Sequence, residues 1–234
     1  MTDPIVSVII PTMNEEAAIG KVMDEINSAL KDMAFEVLVV DTNSKDRTRE
    51  IAKSKGARVI EEPRRGYGRA YKTGFAQALG KYIATLDADC TYPASDIPKF
   101  IDILEKGETD FISGDRLSAM EKGVMSGKHR LGNWALKVAM NLLFRMKSAD
   151  SQTGMWVFRR DILPKLNIVS DRMAMSEEIK VEASQKCRYR EIPIKYSPRV
   201  GEVKLNTWRD GKDNMMFLFS KRFGKASKAE GEKF

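Results

Sequence analysis

Two aspartates one residue apart, Asp87 and Asp89, close the apolar run Tyr82–Leu86. Alternate residues on an extended segment face the same side, so the two carboxylates can converge on one site. Oxygen donors of this kind suit Mg2+ or Mn2+, which complete their shells with water and phosphate oxygens. A divalent ion there would neutralise a departing diphosphate. Two further polar, acid-bearing segments, Pro11–Glu16 and Asp41–Asp46, also follow apolar runs. A single histidine, His129, excludes multi-histidine metal sites and argues against a His-based triad. Two cysteines, Cys90 and Cys187, are too few for a disulfide scaffold. The Gly66-Tyr67-Gly68 string fails as a dinucleotide fingerprint, because Tyr71 stands where the third glycine belongs. Its glycines are expected to allow close backbone approach beside a bound donor.

The elements that must position these groups alternate along the first 110 residues. Strands are expected at Ile5–Ile10, Phe35–Val40, Ala57–Ile60 and Tyr82–Leu86, and helices at Glu15–Leu30, Asp46–Lys55 and Tyr67–Leu79. Such repetition implies an α/β fold, a mostly parallel sheet with helices on both faces. Ligands bind such sheets at the carboxyl ends of the strands, which are the three acid-bearing segments. Beyond Asp110 the pattern loosens. It reads as strands at Phe111–Ser113 and Met155–Phe158, helices at about Lys128–Met146 and Ser176–Lys186, and an edge strand at Ile192–Tyr196 containing Pro193.

Charge divides the chain at the same place. Residues 1–110 carry 15 Lys and Arg against 19 Asp and Glu, and residues 111–234 carry 25 against 14. A basic second half suits a polyanionic partner such as phosphates or anionic lipid. Nucleic acid is not expected, since the cations are scattered among acids without an aromatic platform. The N-terminus lacks a signal-peptide pattern, and no run of about 18 apolar residues would span a bilayer.

Four motifs, VSVIIPTMNEE (6–16), VVDTNSKDRT (39–48), GYGRAYKTG (66–74) and YIATLDADCTYP (82–93), come in the order and spacing of family 2 glycosyltransferases. SGDR (113–116), HRLGN (129–133), DSQTGMWVF (150–158) and PRVGEVKL (198–205) narrow the resemblance to the dolichyl- or polyprenyl-phosphate hexosyltransferase branch. The resemblance covers roughly residues 5–206. It implies a GT-A fold over 1–206, with a nucleotide-sugar half (1–110), a basic, helix-containing acceptor half (111–206) and a basic amphipathic tail (207–234). It places Pro11, Met13 and Glu15 at the nucleotide, Asp41 at the base, and Asp87, Ala88 and Asp89 at the diphosphate and its Mg2+ or Mn2+. Arg116, Arg130 and Arg199, with help from Lys204, match residues that hold the lipid phosphate and donor diphosphate. Two departures stand out: Thr42 replaces a second acid after Asp41, and Thr91 stands where mannose synthases often carry Gln. Thr91-Tyr92-Pro93 is more similar to relatives that use UDP-glucose or UDP-N-acetylglucosamine, which joins those donors to GDP-mannose.

The reaction this resemblance implies is inverting, metal-dependent hexose transfer to dolichyl or polyprenyl phosphate. A protein or polysaccharide acceptor is the alternative. A phosphate acceptor is already an anion, so positioning and charge stabilisation carry the catalysis and no histidine is needed. Asp150 would position the acceptor or act as base. A lipid acceptor calls for peripheral attachment at the cytoplasmic face of an anionic membrane. Candidate contacts are the apolar face Leu131, Trp134, Ala135, Val138, Leu142 and Met146, and the segment Met215–Phe219 flanked by Lys212, Lys221, Arg222 and Lys225.

Overall fold

The computed structural model describes residues 3–118, 120, 127–201 and 207–224. Lys204 lies outside them, and of His129 only the backbone is described. The elements run β1 (Val6–Thr12), α1 (Glu16–Ala29), β2 (Phe35–Asp41), α2 (Thr48–Ser54), β3 (Arg58–Glu61), α3 (Tyr67–Gln77), β4 (Tyr82–Thr85) and α4 (Ile97–Glu105). They continue with β5 (Phe111–Asp115), α5 (Gly127–Phe144), β6 (Trp156–Arg159), α6 (Met175–Lys186), β7 (Tyr189–Pro193) and α7 (Thr207–Phe223).

The seven strands form one sheet in the order β3-β2-β1-β4-β6-β5-β7. Every pairing is parallel except those of β6, which runs against both β4 and β5. The mostly parallel α/β sheet expected from the sequence is therefore present. The strands are β-branched because both of their faces are buried. Val6, Val8 and Ile10 pack with Ile19, Met23, Phe100 and Leu104 on one face, while Ile9 and Ile83 pack with Tyr71, Phe75, Met175 and Ile179 on the other. Helices α1, α2 and α4 cover the first face and α3 and α6 the second. Each fully buried Val, Ile or Leu contributes about 1.5–3 kcal/mol, so the two faces together fix the strand ends.

Three elements depart from the sequence reading. Helix α4, Ile97–Glu105, was not anticipated, although Ile97, Phe100, Ile101 and Leu104 repeat at helical spacing and are all buried. The edge strand lies at Tyr189–Pro193 and not at Ile192–Tyr196, because Tyr189 registers against Phe111 and stacks on its ring. Pro193 ends that strand at the sheet edge, where a missing donor is tolerated. The C-terminal segment forms α7, whose Leu218 is fully buried against Met140 of α5 and Val181 of α6. No helix among the described residues is long and apolar enough to cross a membrane.

Candidate active site

The chain leaves β1 toward β2 and β3 on one side and returns with β4 on the other. Reversals of this kind open a crevice at the carboxyl ends of the two strands. A cleft of about 290 Å3 lies there, lined by Pro11 at the end of β1, Met13 and Glu15 just past it, Asp87, Ala88 and Asp89 after β4, and Arg199 from the segment after β7. Clefts of about 540 and 780 Å3 lie elsewhere, but the chemistry favours this one because it gathers the carboxylates and the arginine.

The loops beyond β1, β2 and β4 each pass through a left-handed residue, Asn14 (φ 55°), Asn43 (φ 55°) and Cys90 (φ 64°) respectively. Asparagine tolerates that conformation, whereas at cysteine it is uncommon and marks local strain. The first two loops are laced together. The Asn14 amide donates to Ser44 Oγ (2.8 Å), and the Lys45 amide donates to Asn14 Oδ1 (2.7 Å). The turn at Cys90 means that Asp87 and Asp89 sit just past the strand and not on it.

The two aspartates differ in surroundings. Asp89 Oδ1 accepts the Thr91 amide (3.1 Å) and hydroxyl (2.6 Å), and Asp89 Oδ2 accepts Arg199 Nη1 (2.9 Å). Arg199 Nη2 donates to Glu15 Oε1 (2.7 Å), so one guanidinium bridges the β1 and β4 loops. Asp87 Oδ1 accepts the Tyr67 hydroxyl (3.0 Å), and its Oδ2 has no hydrogen-bond partner among the described residues. Burial, reinforced by the neighbouring Asp89 charge, pushes the Asp87 carboxyl above the usual carboxylate range against the pull of Tyr67, Arg116 and Arg199. Burial and the Asp87 charge likewise keep the Tyr67 hydroxyl protonated, and therefore a donor. Gly154 makes room for this pair: a Cβ there would lie 2.3 Å from the Tyr67 hydroxyl.

This donor set fits a hard divalent ion. It offers a carboxylate oxygen without a partner on Asp87 and a second carboxylate beside it. No group of three or more His, Cys, Asp or Glu among the described residues forms a complete cage. Mg2+ and Mn2+ sites of this open kind finish their shells with water and substrate phosphates.

The other expected site residues lie outside the cleft wall. Asp41 is fully buried at the end of β2, where its carboxylate accepts the Ser44 amide and hydroxyl and the Thr12 hydroxyl and faces Arg49. Thr42, the departure from the family pattern, lines the cleft instead. Asp150 is also fully buried. It accepts Arg116 Nε (2.7 Å), Nη2 (2.8 Å) and the Arg116 and Gln152 amides. Burial opposes its charge, but Arg116 and then Lys180 outweigh that and hold the carboxyl at about 2. A carboxylate so saturated is a brace and a poor base. Its loop is fixed further by the buried Lys180, which bonds to the Asp150 carbonyl and pairs with Glu191 (2.9 Å). The Arg116 guanidinium lies over the Tyr196 ring, 5.3 Å from its centroid. Arg130 is exposed on α5 and does not line the cleft.

Sequence reasoning missed Tyr67 and Lys180 and gave Thr91 only a role in donor choice. Of the glycines beside Tyr67, Gly66 lines the cleft, and both also allow a second close approach. A Cβ at Gly68 would meet the Ser170 carbonyl at 2.3 Å, so these glycines seat α3 against the 170–171 backbone.

Residues 7–166 match the family described as Glycosyl transferase family 2. A low-salt glycan biosynthesis hexosyltransferase of Haloferax volcanii is 38% identical over 220 residues, 92% of this chain and 53% of that protein. The chain thus spans about half the length of that relative. A dolichyl-phosphate hexose transferase of the same organism is 36% identical over 207 residues, 88% of each chain. Glucosyl-3-phosphoglycerate synthase of Mycobacterium tuberculosis, solved with Mn2+, UDP and glucosyl-3-phosphoglycerate, superposes with a TM-score of 0.74 at 20% identity, covering 94% of this chain and 80% of that one. This last likeness concerns the GT-A fold.

Proposed function

The chain belongs to glycosyl transferase family 2, and from that premise we propose that it transfers a hexose from a nucleotide sugar to dolichyl or polyprenyl phosphate. The observation that carries the reading is the pairing of Asp87 and Asp89 with Arg199 in one cleft at the strand ends. A Mg2+ or Mn2+ ion held by Asp87 and Asp89 would supply charge neutralisation to the departing diphosphate. The mycobacterial fold neighbour crystallised with Mn2+ and UDP supports this choice of cation and ligand. Pro11, Met13, Glu15 and Ala88 form the wall for the nucleotide, and Asp41 acts on it by bracing the β1–β2 seam behind Thr42.

The acceptor phosphate attacks the anomeric carbon as an anion, so the site needs no general base. Consistent with this, Asp150 serves by fixing Arg116, and Arg199 provides phosphate-binding capacity in the cleft. Arg130 would contribute from the exposed face of α5. The dolichyl-phosphate relative supports the acceptor class.

Attachment to an anionic membrane surface at the cytoplasmic face is part of the proposal. Leu131, Trp134 and Leu142 of α5 and Met216, Phe219 and Phe223 of α7 are exposed on two helices that pack together, with Lys212 and Arg222 exposed beside them. The exposed part of the expected face is Leu131, Trp134 and Leu142, because Met146 lies past the end of α5 and packs against the buried cluster of Leu136, Met140, Val181 and Leu218.

The test is a transfer assay with Mn2+ or Mg2+, a short polyprenyl phosphate, and radiolabelled GDP-mannose, UDP-glucose and UDP-N-acetylglucosamine in parallel. Label is expected in an organic-extractable, acid-labile lipid with one donor, and is expected to vanish with EDTA or in Asp89→Ala. Donor hydrolysis without lipid labelling would redirect the reading to a protein or polysaccharide acceptor. A folded protein that binds none of the donors would refute it.

A further inference from the structure

The carboxylate expected to receive a divalent ion already holds a cation of the protein's own. Asp89 Oδ1 is occupied twice by Thr91, which leaves Oδ2 as its outward oxygen, and Arg199 Nη1 sits 2.9 Å from that oxygen. The second arm of the same guanidinium is tied to Glu15. The reach is built into the backbone. The Ser197 amide donates to the Thr91 carbonyl (3.0 Å) and the Val200 amide to the Asp89 carbonyl (2.9 Å), which straps the 197–200 segment onto the turn. Arg199 Nε, by contrast, is buried without an acceptor among the described residues. The guanidinium therefore neutralises the site while keeping one donor unused. A divalent ion arriving alone would meet a positive charge at the oxygen it needs.

We propose that Arg199 is a competing internal cation, which weakens binding of a free divalent ion at Asp89 until a diphosphate offers the guanidinium a new partner. A diphosphate suits this exchange because its oxygens match the planar guanidinium fork and can also ligate the ion. Cation and nucleotide then bind cooperatively, each raising the other's affinity by the same factor. The inference rests on the cation reading given under Proposed function and adds to it an order of binding. It also separates two roles for one arginine, as counter-charge in the empty cleft and as phosphate ligand in the filled one.

Calorimetric Mn2+ titrations of the intact chain, with and without UDP or GDP, test it in three proteins: the parent, Arg199→Ala and Arg65→Ala. Arg65 lines the same cleft but is not among the groups bonded to the Asp89 carboxylate, which are Thr91 and Arg199. In the parent, the preferred nucleotide is expected to tighten Mn2+ binding by about tenfold or more. In Arg199→Ala, Mn2+ alone is expected to bind about tenfold tighter than in the parent, and coupling to shrink to about threefold or less. Arg65→Ala, which removes a cleft charge but no contact with Asp89, is expected to leave Mn2+ binding within about twofold of the parent. Arg199→Lys keeps the charge without the fork and should fall between, which guards against a misfolded alanine variant. Lost coupling without tighter Mn2+ binding would make Arg199 a diphosphate ligand only and overturn the proposal. Equal gains in Arg65→Ala would also overturn it, as a general charge effect. Coupling unchanged in Arg199→Ala would leave the cation reading standing and the competition refuted. Absence of Mn2+ binding in every protein, even with nucleotide, would remove both.

Discussion

Asp87 in the turn 87–91 and Asp150 in the loop 148–154 both feel the charge of arginine, yet the fold treats these two carboxylates in opposite ways. In the loop, Asp150 accepts bonds from the Arg116 amide, from Nε and Nη2 of the Arg116 side chain and from the Gln152 amide, and its carboxyl is held at about 2. In the turn, Asp87 receives one hydroxyl on Oδ1 and, among the described residues, nothing on Oδ2, and burial with a like charge beside it pushes its carboxyl up. Burial opposes the charge at both, and Asp150 is more buried than the half-buried Asp87, so burial does not distinguish them in this direction. The number of donors the fold supplies does. A carboxylate saturated by the protein's own cations holds architecture together, while an undersupplied one is left for a ligand from outside.

The sharpest way to break that comparison is to neutralise one aspartate in each region and measure stability. Asp150→Asn leaves the buried Arg116 charge without its partner and is expected to cost about 3–5 kcal/mol in urea unfolding. Replacing the pair together, Arg116→Met with Asp150→Leu, is expected to recover part of that loss. Asp87→Asn should behave oppositely. The fold holds the Asp87 proton more tightly than the unfolded chain does, so its contribution to stability falls as pH rises through the raised pKa. Above that pH, asparagine should match or exceed the parent in EDTA while abolishing Mn2+ binding. Equal destabilisation by Asp87→Asn and Asp150→Asn would erase the distinction.

Much of the turn was legible in the sequence and little of the loop was. Alternating apolar runs reveal β1, β2 and β4, and an acid-bearing segment after each reveals where the cleft must open. Seven-strand order, by contrast, depends on β6 running antiparallel between β4 and β5, a long-range pairing that no local pattern announces. Helix α4 was readable from its spacing and was overlooked. The role of Asp150 was not readable, because Arg116 is 34 residues away and only packing shows that the carboxylate is consumed; at Asp41, Ser44 and Arg49 are close in sequence, but only the β1–β2 pairing brings in Thr12. Thr91 was visible as a departure from a family pattern, but its bond to Asp89 needs the left-handed turn at Cys90.

Thr91 offers a smaller perturbation on the ligand side of the comparison. Its hydroxyl, 2.6 Å from Asp89 Oδ1, fixes the rotation of the carboxylate that presents Oδ2 to the cleft. Thr91→Val keeps the shape and the backbone bond but removes the hydroxyl. Mn2+ affinity in the presence of nucleotide should fall by about tenfold, as for other groups that orient a metal ligand. Stability should change by only about 1 kcal/mol. An unchanged Mn2+ affinity would mean that the amide of Thr91 alone aims Asp89.

The smallest effect is expected at Glu177, which extends the comparison to a third way of treating a buried carboxyl. It sits in the first turn of α6, fully buried; its Oε1 accepts Gln152 Nε2 (2.6 Å) and its Oε2 has no partner among the described residues. Burial raises its pKa from 4.5 to about 8, against weaker opposition from Gln152 and Lys180. Here the fold supplies neither enough donors nor an outside ligand, and a proton takes their place. Because the folded pKa lies above the unfolded one, the stabilisation is complete below about pH 4.5 and is lost as pH rises through about 8. Glu177→Gln keeps an acceptor for Gln152 and has no charge to bury. Its melting temperature should equal the parent's near pH 5 and exceed it near pH 8.5, by about 2–4 °C for each kcal/mol relieved. Gln152 also accepts Asn214 Nδ2 of α7 (3.1 Å), so the glutamine variant should keep α7 joined to the Asp150 loop. Parallel melting curves at every pH would show that Glu177 is ionised and solvated, and that donor supply alone does not sort the buried acids of this fold.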